Sequence, residues 1–137
     1  MRRLPPILWL TLALLVAGCA SDQRNQSLTA TLNAYANALR WGDFKTAEQF
    51  VDPKLRAEHP PSALDWARYA QLRVSDYDDD AGPIADGPDH VRQTVQIHLI
   101  NVHTQTERSV IDHQTWRYDA KLKRWWLTSG LPDVTQY

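Results

Sequence analysis

The chain has 137 residues, with 15 basic and 16 acidic side chains and a single cysteine. That length holds one domain with its own core. The charge balance lacks the basic face that nucleic-acid binding requires, and one cysteine excludes an intramolecular disulfide framework.

In chain order, the first element is an address. Arg2 and Arg3 precede an apolar run from Leu4 to Ala17 that is broken only by Thr11, and the run ends on the small residues Ala17 and Gly18 before Cys19. A positive start, an apolar middle and a small-residue exit form a secretory signal. The apolar run is shorter than the ~20 residues a membrane-spanning helix needs. The stretch Val16-Ala17-Gly18-Cys19 resembles the lipobox of a bacterial lipoprotein precursor. That resemblance implies cleavage between Gly18 and Cys19, acylation of Cys19 and a mature chain that begins there. It also implies a permanent membrane anchor, since stable anchoring takes two or more acyl chains. Ala20 stands where an Asp would retain such a protein at the inner membrane, so the resemblance favours the outer membrane and a periplasm-facing domain.

Removing the first 18 of 137 residues leaves 119. Loss of Arg2 and Arg3 leaves 13 basic against 16 acidic residues, a net charge of −3. Three segments follow: a signal peptide over 1–18, a short polar lipidated tether over 19–25, and one domain over 26–137. Trp41, Trp66, Trp116, Trp125 and Trp126 are expected to hold that domain together by burial.

Leu28, Leu32, Tyr35 and Leu39 recur at spacings of four, three and four, which predicts an amphipathic helix over Gln26 to Trp41 with Gly42 as its cap. Asp43 then caps a second helix bearing Phe44, Ala47, Phe50 and Val51, which Pro53 ends. Ser62 and Asp65 form a capping box for a short helix to about Ala67. Leu72, Val74 and the residues to Tyr77 predict a strand, and Asp78 to Asp89 a loop. Val91, Val95, Ile97 and Leu99 alternate with Arg92, Thr94, Gln96 and His98, a strand with one buried face. The adjacent Leu99 and Ile100 predict a β-bulge there. Glu107 to Tyr118 and Lys123 to Ser129 complete an antiparallel meander.

Helices followed by three to four antiparallel strands make an α+β domain. The order, with Trp41-Gly42-Asp43-Phe44 and Gln114-x-Trp116-Arg117-Tyr118 … Trp125-Trp126-Leu127 … Leu131-Pro132, resembles the nuclear-transport-factor-two-like fold. A cystatin-like domain is the alternative, against which the second helix speaks. The resemblance implies a curved sheet that encloses a cone-shaped interior.

Candidate sites follow from residue type and parity. Asp76, Asp78 and Asp80 have the alternation of a calcium loop, but Ala81 stands where the turn wants Gly and Gly87 where a bidentate Glu closes the site, so a solvated acidic loop is expected. His98 and His113 would face each other if their strands paired in that register, yet no metal-ligand spacing accompanies them and no metal or cofactor is expected. Asp112 shares parity with Val110, Gln114, Trp116 and Tyr118 and points into the cone, where Tyr35 or His113 would complete an acid–base set of the ketosteroid-isomerase kind. The simpler reading pairs Asp112 with Arg108 or Arg117. Trp116, Tyr118, Trp125 and Trp126 are the densest aromatic cluster and the candidate contacts for a partner or ligand. Adjacent Trp125 and Trp126 point to opposite faces, so a sheet covered once would expose one of them. The function expected is a non-catalytic protein-interaction module of the cell envelope. The alternatives are a carrier of a small apolar or peptide ligand in the cone and, third, a lyase or isomerase.

Overall fold

The computed structural model describes residues 7–136, with side chains from Gly18 onward. Arg2, Arg3 and the side chains of Val16 and Ala17, on which the signal and cysteine motif were read, therefore lie outside the described residues. The elements run α1 (Ile7–Arg40), α2 (Phe44–Glu48), α3 (Pro53–Glu58), α4 (Ala63–Ala70), β1 (Leu72–Asp78), β2 (Ile84–Ala85), β3 (His90–Asn101), β4 (Glu107–Asp119) and β5 (Arg124–Leu127). Among the described residues no helix is long and apolar enough to cross a membrane.

Helix α1 buries the stripe expected of it: Leu28, Leu32, Tyr35 and Leu39, joined by Ala36 and Ala38. Its end is set by Gly42, whose φ of 71° few side-chain-bearing residues adopt. The Gly42 N–H bonds back to the Leu39 carbonyl and the Asp43 N–H to that of Ala38, which satisfies two carbonyls the helix would leave open. The polar segment 19–25 lies within α1.

Asp43 caps α2 by accepting from the Thr46 N–H at 2.9 Å. Pro53 does not simply end a helix; it opens α3 at its first turn, with Asp52 as cap. Proline is favoured there because that N–H has no partner within the helix anyway. Ser62 and Asp65 make the expected capping box for α4: Asp65 accepts from the Ser62 N–H at 2.8 Å and the Ser62 Oγ from the Asp65 N–H at 3.1 Å.

The strands form one antiparallel sheet in the order β1-β3-β4-β5, with β2 also paired to β3, curled into a half-barrel behind the helices. The class is α+β. The bulge expected at Leu99 and Ile100 lies on the neighbouring strand. Strand β3 keeps its alternation through Leu99, while Val74 pairs with Leu99 and Asp76 with His98, leaving Ser75 extra on β1. That extra residue is what lets Val74 and Tyr77, three apart, both face inward.

Trp116, Tyr35, Leu39, Ile97, Leu99 and Leu127 are fully buried and centre the core. Tyr35 meets Trp116 edge-on at 5.3 Å and Phe50 at 5.8 Å. The gap remaining among Leu39, Phe44, Ile97, Val110 and Val134 has no room for a water molecule. The half-barrel is filled with side chains.

Candidate functional site

The inward parity of β4 places Val110, Asp112, Gln114 and Trp116 on one line into the core, as the alternation predicted. Opposite them on β3, the same rule brings in Gln93, which pairs with Gln114 in register. The result is a polar line inside an apolar core. Gln114 is its hub. Its Nε2 donates to the Tyr77 hydroxyl and to Asp112 Oδ2, both at 2.9 Å, and its Oε1 accepts from Trp116 Nε1 at 3.2 Å.

Asp112 is 7% exposed, and burial pushes its carboxyl up to about 6, with the Gln114 hydrogen bond working against that rise. The Tyr35 hydroxyl has no hydrogen-bond partner among the described residues. Burial first, and then the Asp112 charge, raise its pKa well above the ordinary tyrosine value. Tyr77 is raised by the same burial, and Arg40 caps its backbone carbonyl at 3.3 Å. The anticipated Asp112–Tyr35 neighbourhood therefore exists: a carboxyl that titrates near neutrality beside two phenols. His113 is not part of it, because it sits on the outer face.

A base and a donor make chemistry only where a substrate reaches them. Tyr35, Asp112, Gln114 and Tyr77 are 0, 7, 1 and 4% exposed, and the clefts described below are lined by other residues. No ion pair joins Asp112 to an arginine among the described residues. Arg117 bonds Asp52 at 2.6 Å and so ties β4 to the start of α3, while Arg108 donates to the Val134 and Gln136 carbonyls. Asp112 is held by a neutral amide.

His98 and His113 do not face each other. His98 pairs with Ser109 and His113 with Thr94. The register is set at the β3–β4 turn, where the Asn101 side chain accepts from the His103 and Thr104 N–H groups. That turn displaces the two histidines by four positions from opposition. Asp78 accepts from the Asp80 N–H as an ordinary turn does. No cluster of metal-binding side chains occurs among the described residues.

Of the aromatic candidates, Trp116 and Trp125 are core, Trp126 is buried outside the core cluster and Tyr118 packs against that cluster. Trp116, Trp125 and Trp126 are 0, 2 and 5% exposed, and Tyr118 is half-buried against Trp125 at 5.1 Å. The expected exposure of Trp125 or Trp126 is corrected: the outward Trp126 is roofed by the Arg124 guanidinium, 3.6 Å from its ring centre. The open tryptophan is Trp41, which was expected to be buried and is 87% exposed at the end of α1. Its position between the helix stripe and Gly42, beyond the last buried Leu39, carried that signal. A groove of about 220 Å³, whose lining starts at the next residue, Gly42, and does not include Trp41, is formed by Asp43, Lys45, Trp66, Tyr69 and Ala70. There Phe44 stacks on Tyr69 at 4.5 Å and Lys45 lies 5.6 Å from the Trp66 ring. A second cleft of about 390 Å³ runs between α3, α4 and the C-terminal segment, past Leu55, Arg56, His59, Asp65 and Leu131. Cys19 is exposed on α1. No family model, no curated protein and no solved structure matches the chain.

Proposed function

We propose that this chain is a bacterial lipoprotein whose Cys19 is acylated at the outer membrane. Its single domain, of the nuclear-transport-factor-two-like kind, serves as a non-catalytic interaction module facing the periplasm. The observation that carries the reading is Trp41, a large aromatic residue left 87% exposed one residue before Gly42, where the lining of an open aromatic groove begins. Exposed aromatics of this kind are the residues that anchor protein interfaces. Helix α1 separates Cys19 from Trp41 by 22 residues, about 33 Å at the α-helical rise. The anchor and the aromatic groove are thus at opposite ends of one rod, which leaves the groove clear of the protein's own membrane. The filled interior favours an outer surface over a cavity as the place of binding.

The test has two parts. Palmitate labelling of cells is expected to mark the parent and to leave a Cys19→Ser variant unlabelled; equal labelling refutes the anchor. Crosslinking in intact envelopes is expected to join the parent to a defined polypeptide, and Trp41→Ala is expected to remove that adduct. An unchanged set of adducts refutes the groove as the interface.

A further inference from the structure

Near its turn, the β4–β5 hairpin is pinned to Arg24 of α1. Trp125 Nε1 donates to the Arg24 carbonyl at 3.3 Å, and the Arg24 guanidinium lies 4.8 Å from the Tyr118 ring centre. Arg24 also bonds the Pro88 carbonyl at 2.8 Å and pairs with Asp89 at 3.2 Å. Two residues further along β5, Leu127 pairs with Trp116, which packs on Tyr35 of α1. Strand β5 therefore runs alongside α1 in the same direction, from Arg24 toward Tyr35. The turn that precedes β5 must then project past Trp125 toward the N-terminal end of α1.

How far it projects follows from two rises. Cys19 lies five helical residues before Arg24, about 7.5 Å along the axis. Leu122 lies three residues before Trp125, at most about 10 Å in extended chain. The turn thus reaches from Trp125 toward the level of Cys19.

The tip has the composition of a bilayer contact. Lys121, Leu122, Lys123 and Arg124 are all exposed, and Leu122 is 63% exposed with nothing apolar over it. Of the carboxylates at this end, Asp22, three residues past Cys19, is exposed, while Asp119 and Asp89 are engaged. Asp119 accepts from the Lys121 and Leu122 N–H groups at 3.0 and 3.2 Å, and Asp89 is held by Arg24. The first of these also fixes the shape of the turn, so Lys121 and Lys123 are presented without ordering a loose loop, while the Arg124 guanidinium covers Trp126.

We propose that the turn Lys121-Leu122-Lys123 is a second membrane contact, resting on the bilayer beside acylated Cys19 with Lys121 and Lys123 on anionic phospholipid headgroups and Leu122 at the acyl boundary. It rests on the lipid anchor proposed above. Basic residues next to an anchor are attracted by the surface potential of anionic lipid, and two weak attachments hold far better than either alone. The contact would fix the orientation of α1 on the membrane and so keep Trp41 pointing away from it.

The experiment uses the full chain, acylated in cells and reconstituted into vesicles of phosphatidylethanolamine with and without phosphatidylglycerol. Because Cys19 is the only cysteine and is blocked by lipid, Leu122→Cys supplies a single thiol for an environment-sensitive fluorophore, and Trp41→Cys supplies the same at the far end. The label at position 122 is expected to shift to the blue and to be quenched by headgroup-proximal nitroxide lipid when phosphatidylglycerol is present, while the label at position 41 stays aqueous. Adding Lys121→Glu with Lys123→Glu is expected to abolish the quenching while the protein still floats with the vesicles. A floating protein whose position 122 is as aqueous as position 41, or quenching that survives charge reversal, overturns the tip contact alone. A protein that does not float overturns the anchor and the contact with it.

Discussion

The two faces of β3 and β4 share a backbone and differ in everything a side chain meets. Inward lie Val95, Ile97, Val110, Asp112, Gln114 and Trp116, all buried; outward lie Thr94, Gln96, Ile111, His113 and Thr115, all exposed. Alternation decides this, because successive side chains leave a strand on opposite sides. The lesson is that residue type predicts little here without parity. Asp112 and His113 are neighbours in sequence, yet Asp112 is buried and its carboxyl raised to about 6, while His113 is exposed. Asp112, Trp116 and Trp125, which looked most like function, turned inward. The surface was left to Trp41 and the turns.

The sharpest test of the comparison sets Trp116 against Ile111. Trp116→Ala removes a fully buried indole that packs on Tyr35 and bonds Gln114, and it is expected to cost about 3–5 kcal/mol. Ile111→Ala, on the outer face and 39% exposed, is expected to cost about 0.5 kcal/mol. Urea unfolding followed by tryptophan emission measures both. Costs of similar size would mean that the outer face is covered by something absent from a single chain.

The next test concerns charge on the inner face. A carboxyl raised from 3.8 to about 6 binds its proton more tightly in the folded protein than in the unfolded one. Above pH 6 Asp112 therefore burdens the fold by about 3 kcal/mol, and that burden lifts as the pH falls through 6 toward 4. Asp112→Asn keeps an acceptor for Gln114 and is expected to stabilise the domain at pH 7.5 by up to that amount. The gain is expected to shrink at pH 4.5. Urea midpoints at the two pH values decide it; a variant less stable at both would place an unseen cationic partner beside Asp112. The same variant also bears on the enzymatic alternative, since a lyase or isomerase using Asp112 as base would lose its activity while gaining stability.

Tyr35→Phe extends the argument to a neutral group. Its hydroxyl is buried without a partner, and a stranded polar group costs more than it returns. Removing it is expected to raise stability by about 1 kcal/mol, read as a higher urea midpoint with unchanged slope. Destabilisation instead would reveal an ordered water on the hydroxyl.

These features were legible in the sequence to different degrees, and the reasons are physical. The α1 stripe and the parity of β4 are local periodicities, so Leu28 to Leu39 and Asp112 to Trp116 were placed correctly. The capping box of α4 was legible because a cap is a contact between near neighbours. Pro53 was misread because proline both ends one helix and opens another, and only Asp52 before it distinguishes the two. The register that separates His98 from His113 depends on a side-chain turn at Asn101, and the bulge at Ser75 on strain shared between two strands. Neither is visible in one strand's pattern. Docking of Arg24 joins residues 64 and 101 positions apart. Nothing in the polarity of 20–25 announced that contact.

The smallest effect expected is on the outer parity, at the ion pair of Arg117 with Asp52. Its bond of 2.6 Å looks strong, and it joins β4 to the first turn of α3 across 65 residues of chain. Yet the Arg117 side chain is 36% exposed, so water screens the pair and offers each charge a good alternative. Arg117→Met keeps the apolar stem along the sheet and removes only the charge. It is expected to cost less than about 1 kcal/mol, and added salt is expected to narrow the gap from the parent. Asp112 answers to pH and not to salt, Arg117 to salt far more than to core packing, although the two stand five residues apart on one strand. An Arg117→Met cost of several kcal/mol that ignores salt would show that this pair is buried in an assembly, and that the outer face is an interface.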